Sequence, residues 1–535
     1  NAYLCVGNAN AYGSDGRAYC TFKNGRADLA VLSAGTSVST GAGYIPVEDG
    51  ADVTYPAAAD AFYLSRNGGT GVVEVVGGTL RVRPGASYES QIASRTGTGY
   101  ARVTVSGGLW DHTADCMGIV RVGATGEGHI EVTGGELRAP GFAFGGSAAK
   151  SEYFQSGGTA KMCGKVAGAY PSPNLLSFKG TSSCRLTGGT LHTKRIYAES
   201  GSSSVFASDG GTVKATTTLD ASTPFISGFA TATCGAKGLT VDTDGKDVFV
   251  SQNLTDASGV SGLFRKTGNG TLTVSATSFD VANTVVDGGT LTFGAGTVST
   301  SLTVTNGATL STVGAATVTT LDALAVTNGT LALDPGDKIV VEGPAGFSRV
   351  RIVFSSLPTV DEMADFLVID GELDDASKRA LKQAIFDNEL ADGTHGSLEA
   401  AYDPGSGKTT IKVGVKTDQP LTDASVWTGS GAWETSGNWS AGVPTATKVA
   451  SFTGTPSGTD VCQSRIALTV PSSRTSHSAR ISTFTDFGTP FSRYPCFSFS
   501  ISSGISSFVK PSDADFFFVI FKDDDTSFTI VFGVM

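Results

Sequence analysis

The chain is short of charge, of cysteine and of long apolar runs, and each shortage closes off a class of explanation. Charged residues make up 16% of its 535 positions, against roughly 25% in ordinary soluble domains. Their balance is a formal net −11 at pH 7, which disfavours attraction to phosphate backbones and excludes nucleic acid as a natural partner. Eight cysteines are too few for a disulfide scaffold, and none forms a Cys-x-x-Cys pair or sits at zinc-finger spacing from a histidine. Cys5 and Cys20 could pair in an oxidising compartment, but separate small buried hydrophobes are the plainer reading. No apolar stretch reaches 18 residues, so no helix is expected to span a membrane. The chain starts at Asn1 with neither an initiator methionine nor an export signal, as a processed chain or a fragment would. A nucleophile elbow, a zinc-protease helix and a phosphate-binding loop are all missing as motifs.

Glycine is what the chain has in excess, 70 residues in all, and hydrophobic residues at 40% are enough to build a core. The glycines punctuate one recurring phrase: alternating polar and apolar residues, a glycine corner, then another short strand. It appears as Val73-Glu74-Val75-Val76-Gly77-Gly78-Thr79-Leu80, Val103-Thr104-Val105-Ser106-Gly107-Gly108-Leu109 and Ile130-Glu131-Val132-Thr133-Gly134-Gly135-Glu136-Leu137. It returns at Gly157-Gly158, Gly188-Gly189, Gly210-Gly211 and Gly288-Gly289, and as Asn306-Gly307 and Asn328-Gly329. The interval between phrases is roughly 18 to 31 residues, the period of a solenoid coil. Alternation turns one face of each strand inward, and Gly-Gly or Asn-Gly accepts the positive φ of a sharp corner. One coil cannot bury its apolar face alone, so the coils must stack, some fifteen layers at about 4.8 Å each. A β-sandwich array with Asn-Gly hairpins is the competing reading, but it leaves the recurrent Gly-Gly-Thr-Leu phrase without a cause.

One copy of the phrase is fuller than the rest. Phe264-Arg265-Lys266-Thr267-Gly268-Asn269-Gly270-Thr271-Leu272-Thr273-Val274, followed by Thr284-Val285-Val286-Asp287-Gly288-Gly289-Thr290-Leu291, resembles the autotransporter-associated β-strand repeat. The likeness is close over these residues and looser from about 70 to 340. It implies a right-handed, single-stranded parallel β-helix of the kind found in autotransporter passengers and other large bacterial surface proteins. It carries no catalytic residue across, and nothing in the chain is long enough for an outer-membrane translocator barrel.

The expected organisation is a repeat domain over 1–340, a small mixed α/β cap over 341–416, a linker over 417–424, a Trp-rich β segment over 425–480 and an atypical Phe-rich tail over 481–535. The cap holds most of the charge, since twelve acidic and three basic residues lie between Asp361 and Asp403. Strands are expected at 349–354, 366–369 and 409–415, with a helix opening at Asp374-Asp375 and running to about Leu390. Such a segment would cover the last exposed strand edges of the solenoid. In the tail, Phe516 to Phe521 and Phe528 to Phe532 read as a hairpin around the Lys522-Asp523-Asp524-Asp525 turn. A reading-frame shift somewhere after Thr459 is the other explanation for this tail.

Chemistry is sparse. Asp111-His112 with Asp115, after Trp110, is the densest acid/base group, and His192, Lys194 and Arg195 form a second. A solvated coil surface accounts for both. Asp242-Thr243-Asp244-Gly245-Lys246-Asp247 carries three carboxylates, but lacks the spacing of a calcium loop and reads as a surface turn. Trp427, Trp433 and Trp439, six residues apart, offer faces for stacking on sugars or for packing a small module. The expected function is a non-catalytic bacterial extracellular or cell-surface protein, a stalk, passenger or adhesin, requiring no cofactor and meeting host or matrix glycans or surface proteins. A polysaccharide lyase or hydrolase on the same fold is the alternative, and a glycan-binding surface protein another.

Overall fold

The computed structural model describes residues 2–6 and 17–417, apart from 35–40, 56–61, 66–67, 84–89, 94–97, 114–118, 147–149, 164–173, 295–296, 313–317 and 335. Beyond these it describes the backbone strands Asp423–Trp427, Lys448–Phe452, Phe516–Lys522 and Phe528–Val534. The chain forms two compact units, one of Asn1–Ser356, Asp365–Asp387 and Glu399–Lys412, the other of Leu357–Ala364, Asn388–Leu398 and Val413–Met535.

The first unit is a parallel β-helix. Each full coil supplies three short strands, and each strand pairs in parallel with its counterpart one coil away. Sheet 1 runs through Ala42–Val47, Thr70–Val75, Tyr100–Val105, Glu127–Val132 and the start of Ser151–Met162. Sheet 2 runs through Ala51–Tyr55, Thr79–Val82, Leu109–Asp111 and Glu136–Ala139. Sheet 3 runs through Tyr63–Leu64, Gln91–Ile92, Val120–Val122 and Phe142–Phe144. Burial alternates along the strands, as in Tyr100–Val105, so the period of two sends every second side chain into the core.

Register turns this alternation into ladders. On sheet 2 the inward column reads Val53, Leu80, Trp110, Leu137, Ala160, Leu191, Val213, Val241, Lys266, Val286, Val304, Val326, Phe347. Every rung is buried. Thirteen rungs at about 4.8 Å make a column of roughly 58 Å, and each large aliphatic rung contributes about 1.5–3 kcal/mol of burial. Sheet 3 stacks Phe144 on Phe178, with ring centroids 4.9 Å apart and 7° from parallel.

The glycine phrases mark corners, but not one corner throughout. From Gly77-Gly78 to Gly210-Gly211 they sit between sheets 1 and 2. Gly108, at φ +64, lies so close to the coil before it that a Cβ would come within 2.0 Å of the Gly78 carbonyl. From Asp242 onward the corner phrase moves to the turn between sheets 2 and 3. There Gly268-Asn269-Gly270, Gly288-Gly289, Asn306-Gly307 and Asn328-Gly329 follow strands of sheet 2 and lead into Thr271-Leu272, Thr290-Leu291, Thr309-Leu310 and Thr330-Leu331 on sheet 3. Gly289, at φ +62, repeats the close approach, its Cβ direction 2.4 Å from the Gly270 carbonyl. The phrase therefore keeps its local meaning, a corner followed by a leucine rung, while changing its place in the coil.

Three inward rungs before glycine corners are polar and hold glycine carbonyls: Ser208 of sheet 1, whose hydroxyl donates to the Gly238 carbonyl at 2.9 Å, Gln155 and Lys266. Gln155 of sheet 1 receives the Tyr153 hydroxyl (2.8 Å) on its amide oxygen and donates its Nε2 to the carbonyls of Gly157, Gly158 and Thr190 at 3.1–3.3 Å. Lys266 of sheet 2 donates its Nζ to the carbonyls of Thr267, Gly268 and Gly288 at 3.0, 2.7 and 2.9 Å. Burial pulls the Lys266 ammonium down to about 8, against the opposing influence of Asp242 and Asp247.

The stacking does not stop at the change of composition after Val341. Ala345–Phe354 adds a further strand to sheets 2 and 3, and Ile385–Phe386 pairs with Arg351-Ile352 as the following strand of sheet 3. Met363–Asp370 pairs with Lys338–Val341, setting Leu367 beside Ile339 and Ile369 beside Val341. The expected helix is real but shorter: it spans Asp375–Lys382, capped by the Asp374 carboxylate, which accepts from the Ser377 amide at 2.6 Å. It does not reach Leu390, because Ile385 and Phe386 are drawn into the sheet. The Ser377 hydroxyl accepts from the Phe347 amide at 3.1 Å, so the helix closes the sheet edge that a further coil would otherwise have covered.

In the second unit Val360 bridges Val415 in parallel, and the Asp361 carboxylate accepts from the Thr417 amide and hydroxyl at 2.8 and 2.7 Å. Asp423–Trp427 pairs in parallel with Lys448–Phe452. The expected Phe-rich hairpin is present as Phe516–Lys522 against Phe528–Val534, antiparallel.

Candidate functional site

Strand alternation is expected to direct His112 away from Asp111, and the structure turns the two apart. Asp111 points outward from sheet 2 and its carboxylate accepts from the Thr113 amide and hydroxyl at 3.1 and 2.6 Å. His112 is buried between the rings of Phe62 and Trp110, with centroids 6.3 and 5.9 Å away. Burial lowers its imidazole to about 3 against the pull of Asp111, so it is neutral at physiological pH and faces the core. Asp115 lies outside the described residues.

In the second group, Arg195 is spent on structure. Its guanidinium donates to the Pro224 carbonyl (2.9 Å) and the Ser227 hydroxyl (3.2 Å) and lies 4.1 Å from the centre of the Tyr197 ring. Lys194 sits at the bend between Ser183–Thr193 and Arg195–Ala198. His192 has a different fate. It lies in the outward column of sheet 2, Arg81, Asp111, Arg138, Lys161, His192, Lys214, Asp242. Asp111 and His192 thus share a column, three rungs apart, which sequence spacing could not show. Glu136 joins Arg138 (2.9 Å) and Lys161 (2.6 Å), and the Arg138 hydrogen bond leads in holding its carboxyl down to about 2. Lys214 binds Asp242 and Asp244 at 3.3 and 2.8 Å. Burial, then the neighbouring Lys214 and Lys161, lower the His192 pKa. Lys214 and Asp242 pair within the column, whereas Arg81 turns to Asp52, and Arg138 and Lys161 to Glu136, in the outward column beside it.

The Asp242–Asp247 segment is a turn stitched by its own side chains, with Asp242 accepting from the Asp244 amide and Asp247 from the Thr271 amide at 2.9 and 2.7 Å. No grouping of three or more metal-binding side chains occurs among the described residues. Trp433 and Trp439 lie outside those residues, and Trp427 is described as backbone only. Cys20, Cys163, Cys184 and Cys234 are free thiols, the last two buried.

A richer cluster, missed in the sequence, covers the outward face of sheet 1. Register brings Tyr19, Tyr44, Val72, Arg102, His129 and Glu152 into one column, with Glu74, Thr104 and Glu131 in the column beside it. The Tyr44 hydroxyl donates to Glu74, and burial with that carboxylate pushes the phenol to about 12. Arg102 lies between Glu74 (3.2 Å) and Glu131 (4.0 Å). His129 meets Glu127 at 3.0 Å and Glu152 at 3.7 Å. Burial opposes its protonation, but the hydrogen bonds to Glu152 and Glu127 outweigh it and its pKa rises. Arg185 meets Glu152 at 3.7 Å and lies over the Phe154 ring at 5.5 Å. The sign of this cluster in the sequence was the i, i+2 spacing of Glu127, His129 and Glu131, but the partners come from other coils at unequal intervals.

Comparison with protein-family models, with curated proteins and with solved structures finds no match to the chain.

Proposed function

We propose that this protein is a non-catalytic β-helical scaffold that presents its outer sheet faces to partners, serving as a stalk, passenger or adhesin at the surface of a bacterium. The observation that carries the reading is the unbroken inward ladder of sheet 2 from Val53 to Phe347, which makes a stiff rod whose outward residues hold a fixed register. The resemblance of 264–291 to the autotransporter-associated repeat supports a place outside the cell. The burial of His112 on the face opposite Asp111 favours this reading over the catalytic alternative. The test is incubation of the purified chain with a panel of neutral and acidic polysaccharides, following release of reducing ends and of unsaturated products. No turnover is expected, and cleavage that disappears in Asp111→Ala or Lys194→Ala would overturn the proposal.

A further inference from the structure

We propose that the corner after sheet 3 at Asp334 and Asp337 is a calcium site that ties three successive coils together. The proposal goes beyond the scaffold reading and does not depend on it. Register sets the place. Thr312, Asp334 and Ser355 leave sheet 3 in consecutive coils, because Ser311 pairs with Ala332 and Leu333 with Phe354. Their side chains turn on one another: the Asp334 amide donates to the Thr312 hydroxyl at 3.3 Å, and the Ser355 hydroxyl donates to the Asp334 carboxylate. The chain then doubles back, with the Asp337 amide donating to the Asp334 carbonyl at 3.1 Å. This brings a second carboxylate to the same corner, and the Thr312 hydroxyl bonds it as well. The observation that points to a ligand is a single oxygen. Asp337 is only 9% exposed, and its Oδ2 is buried with no hydrogen-bond partner. A buried carboxylate oxygen without a donor is costly, and in a native fold it calls for a proton, a water or an ion. Burial raises the Asp337 carboxyl and the charge of Asp334 adds to this, against the Thr312 hydrogen bond, while no basic side chain acts on it. A cation between the two carboxylates answers both the orphaned oxygen and the repulsion. Every group on offer is an oxygen, which selects a hard cation over zinc or copper. The orphaned oxygen lies out of reach of solvent, so the cation must shed water to meet it, which magnesium does reluctantly and calcium more readily.

The test is calorimetric titration of calcium into the full chain, first stripped with a chelator, with magnesium titrated in parallel. With only two carboxylates, calcium should bind at the weak end of its range, with a Kd of about 10⁻⁴–10⁻³ M. It should bind more tightly than magnesium, and saturating calcium should raise the melting temperature. Asp337→Asn and Asp334→Asn should each weaken calcium binding about tenfold or more, since ligand charge sets the affinity. Asp244→Asn, in the separate acidic turn of 242–247, should leave it unchanged. Without calcium, Asp337→Asn should melt no lower than the native chain, because it removes a buried charge whose oxygen has no donor. Circular dichroism of each variant establishes that it is folded. No binding at about 10 mM calcium, ten times the weak end of the range, would overturn the proposal. Equal or tighter binding of magnesium, or binding indifferent to both Asp337→Asn and Asp334→Asn, would do the same. A lower calcium-free melting temperature for Asp337→Asn would also count against it, because the oxygen would then be satisfied within the chain.

Discussion

Lys266 occupies a rung that Val241 and Val286 fill in the coils on either side, and the place is tolerable because three carbonyls meet its ammonium. Its resemblance to Gln155 is functional: both end a strand at a glycine corner, where tight turns leave carbonyls pointing inward and a side-chain donor can collect them. The lysine has a cost that the amide avoids. Its folded pKa of about 8 lies below the ordinary 10.5, so between these values the unfolded chain holds more protons than the folded one. Stability therefore rises with pH across that window, and the full penalty is present below pH 8. The unfolding free energy of the native chain, less that of Lys266→Met, should be flat from pH 6 to 8 and climb by on the order of 2–3 kcal/mol toward pH 10.5. Denaturant titrations at a series of pH values measure it, and a difference that stays level throughout would refute the assignment. The sequence showed Lys266 only as a member of a phrase. Its burial follows from parity: the inward position comes at every second residue, and Lys266 falls on an inward one.

At the scale of elements, the cap shows where local pattern and tertiary context part. Asp374-Asp375 marks the helix start correctly, since an acceptor at the N-cap and negative charge in the first turn both favour it. The apolar spacing that suggested continuation past Lys382 ran through Leu381, Ala384, Ile385 and Leu390, but Ile385 and its neighbour Phe386 have shapes that also suit a strand, and the open edge at Arg351-Ile352 offered them hydrogen bonds. Arg351 then locks the join with a bidentate contact to Asp387. Because Ser377 takes the Phe347 amide, the helix does more than sit beside the sheet. Ser377→Ala should cost about 1–2 kcal/mol by leaving that buried donor without its acceptor, and Asp374→Ala about 1 kcal/mol through the lost cap. The two share one short helix, so together they should be less than additive. Differential scanning calorimetry of the singles and the double variant checks this; full additivity would show that the helix does not act as one closing element.

At the scale of the molecule, the repeat was legible and its phase was not. Unequal intervals between the glycine phrases, such as Gly135 to Gly158 and Gly158 to Gly189, already gave the coil and its stacking, because a corner and a leucine rung recur in each. The shift of that corner from the sheet 1–2 turn to the sheet 2–3 turn falls in the long interval between Gly211 and Gly289, where no Gly-Gly pair marks the coil. The outer columns were illegible for the same reason: coils of different length bring together residues that no single period connects. In the later tract the coils are shorter and the ladders of sheets 2 and 3 run on through it, which permits a direct test of modularity. Residues 287–304 form one complete coil, since Val286 pairs with Val304, Ser278 with Thr297 and Leu291 with Leu310. Removing them should set Thr309-Leu310 on Thr271-Leu272, in the place of Thr290-Leu291, and join Val286 to Thr305 with every face kept. Nearest-neighbour stacking then predicts a folded chain, one coil shorter, with its melting temperature lowered by only a few degrees. Removing 287–295 instead should fail, because Thr297–Thr305 would enter one face out of turn and direct its inward rungs against the wrong sheet. Parallel measurement of solubility, circular dichroism and thermal unfolding for the two deletions distinguishes the cases. Equal damage from both would mean that the later tract folds as an indivisible block, with stability not summed coil by coil.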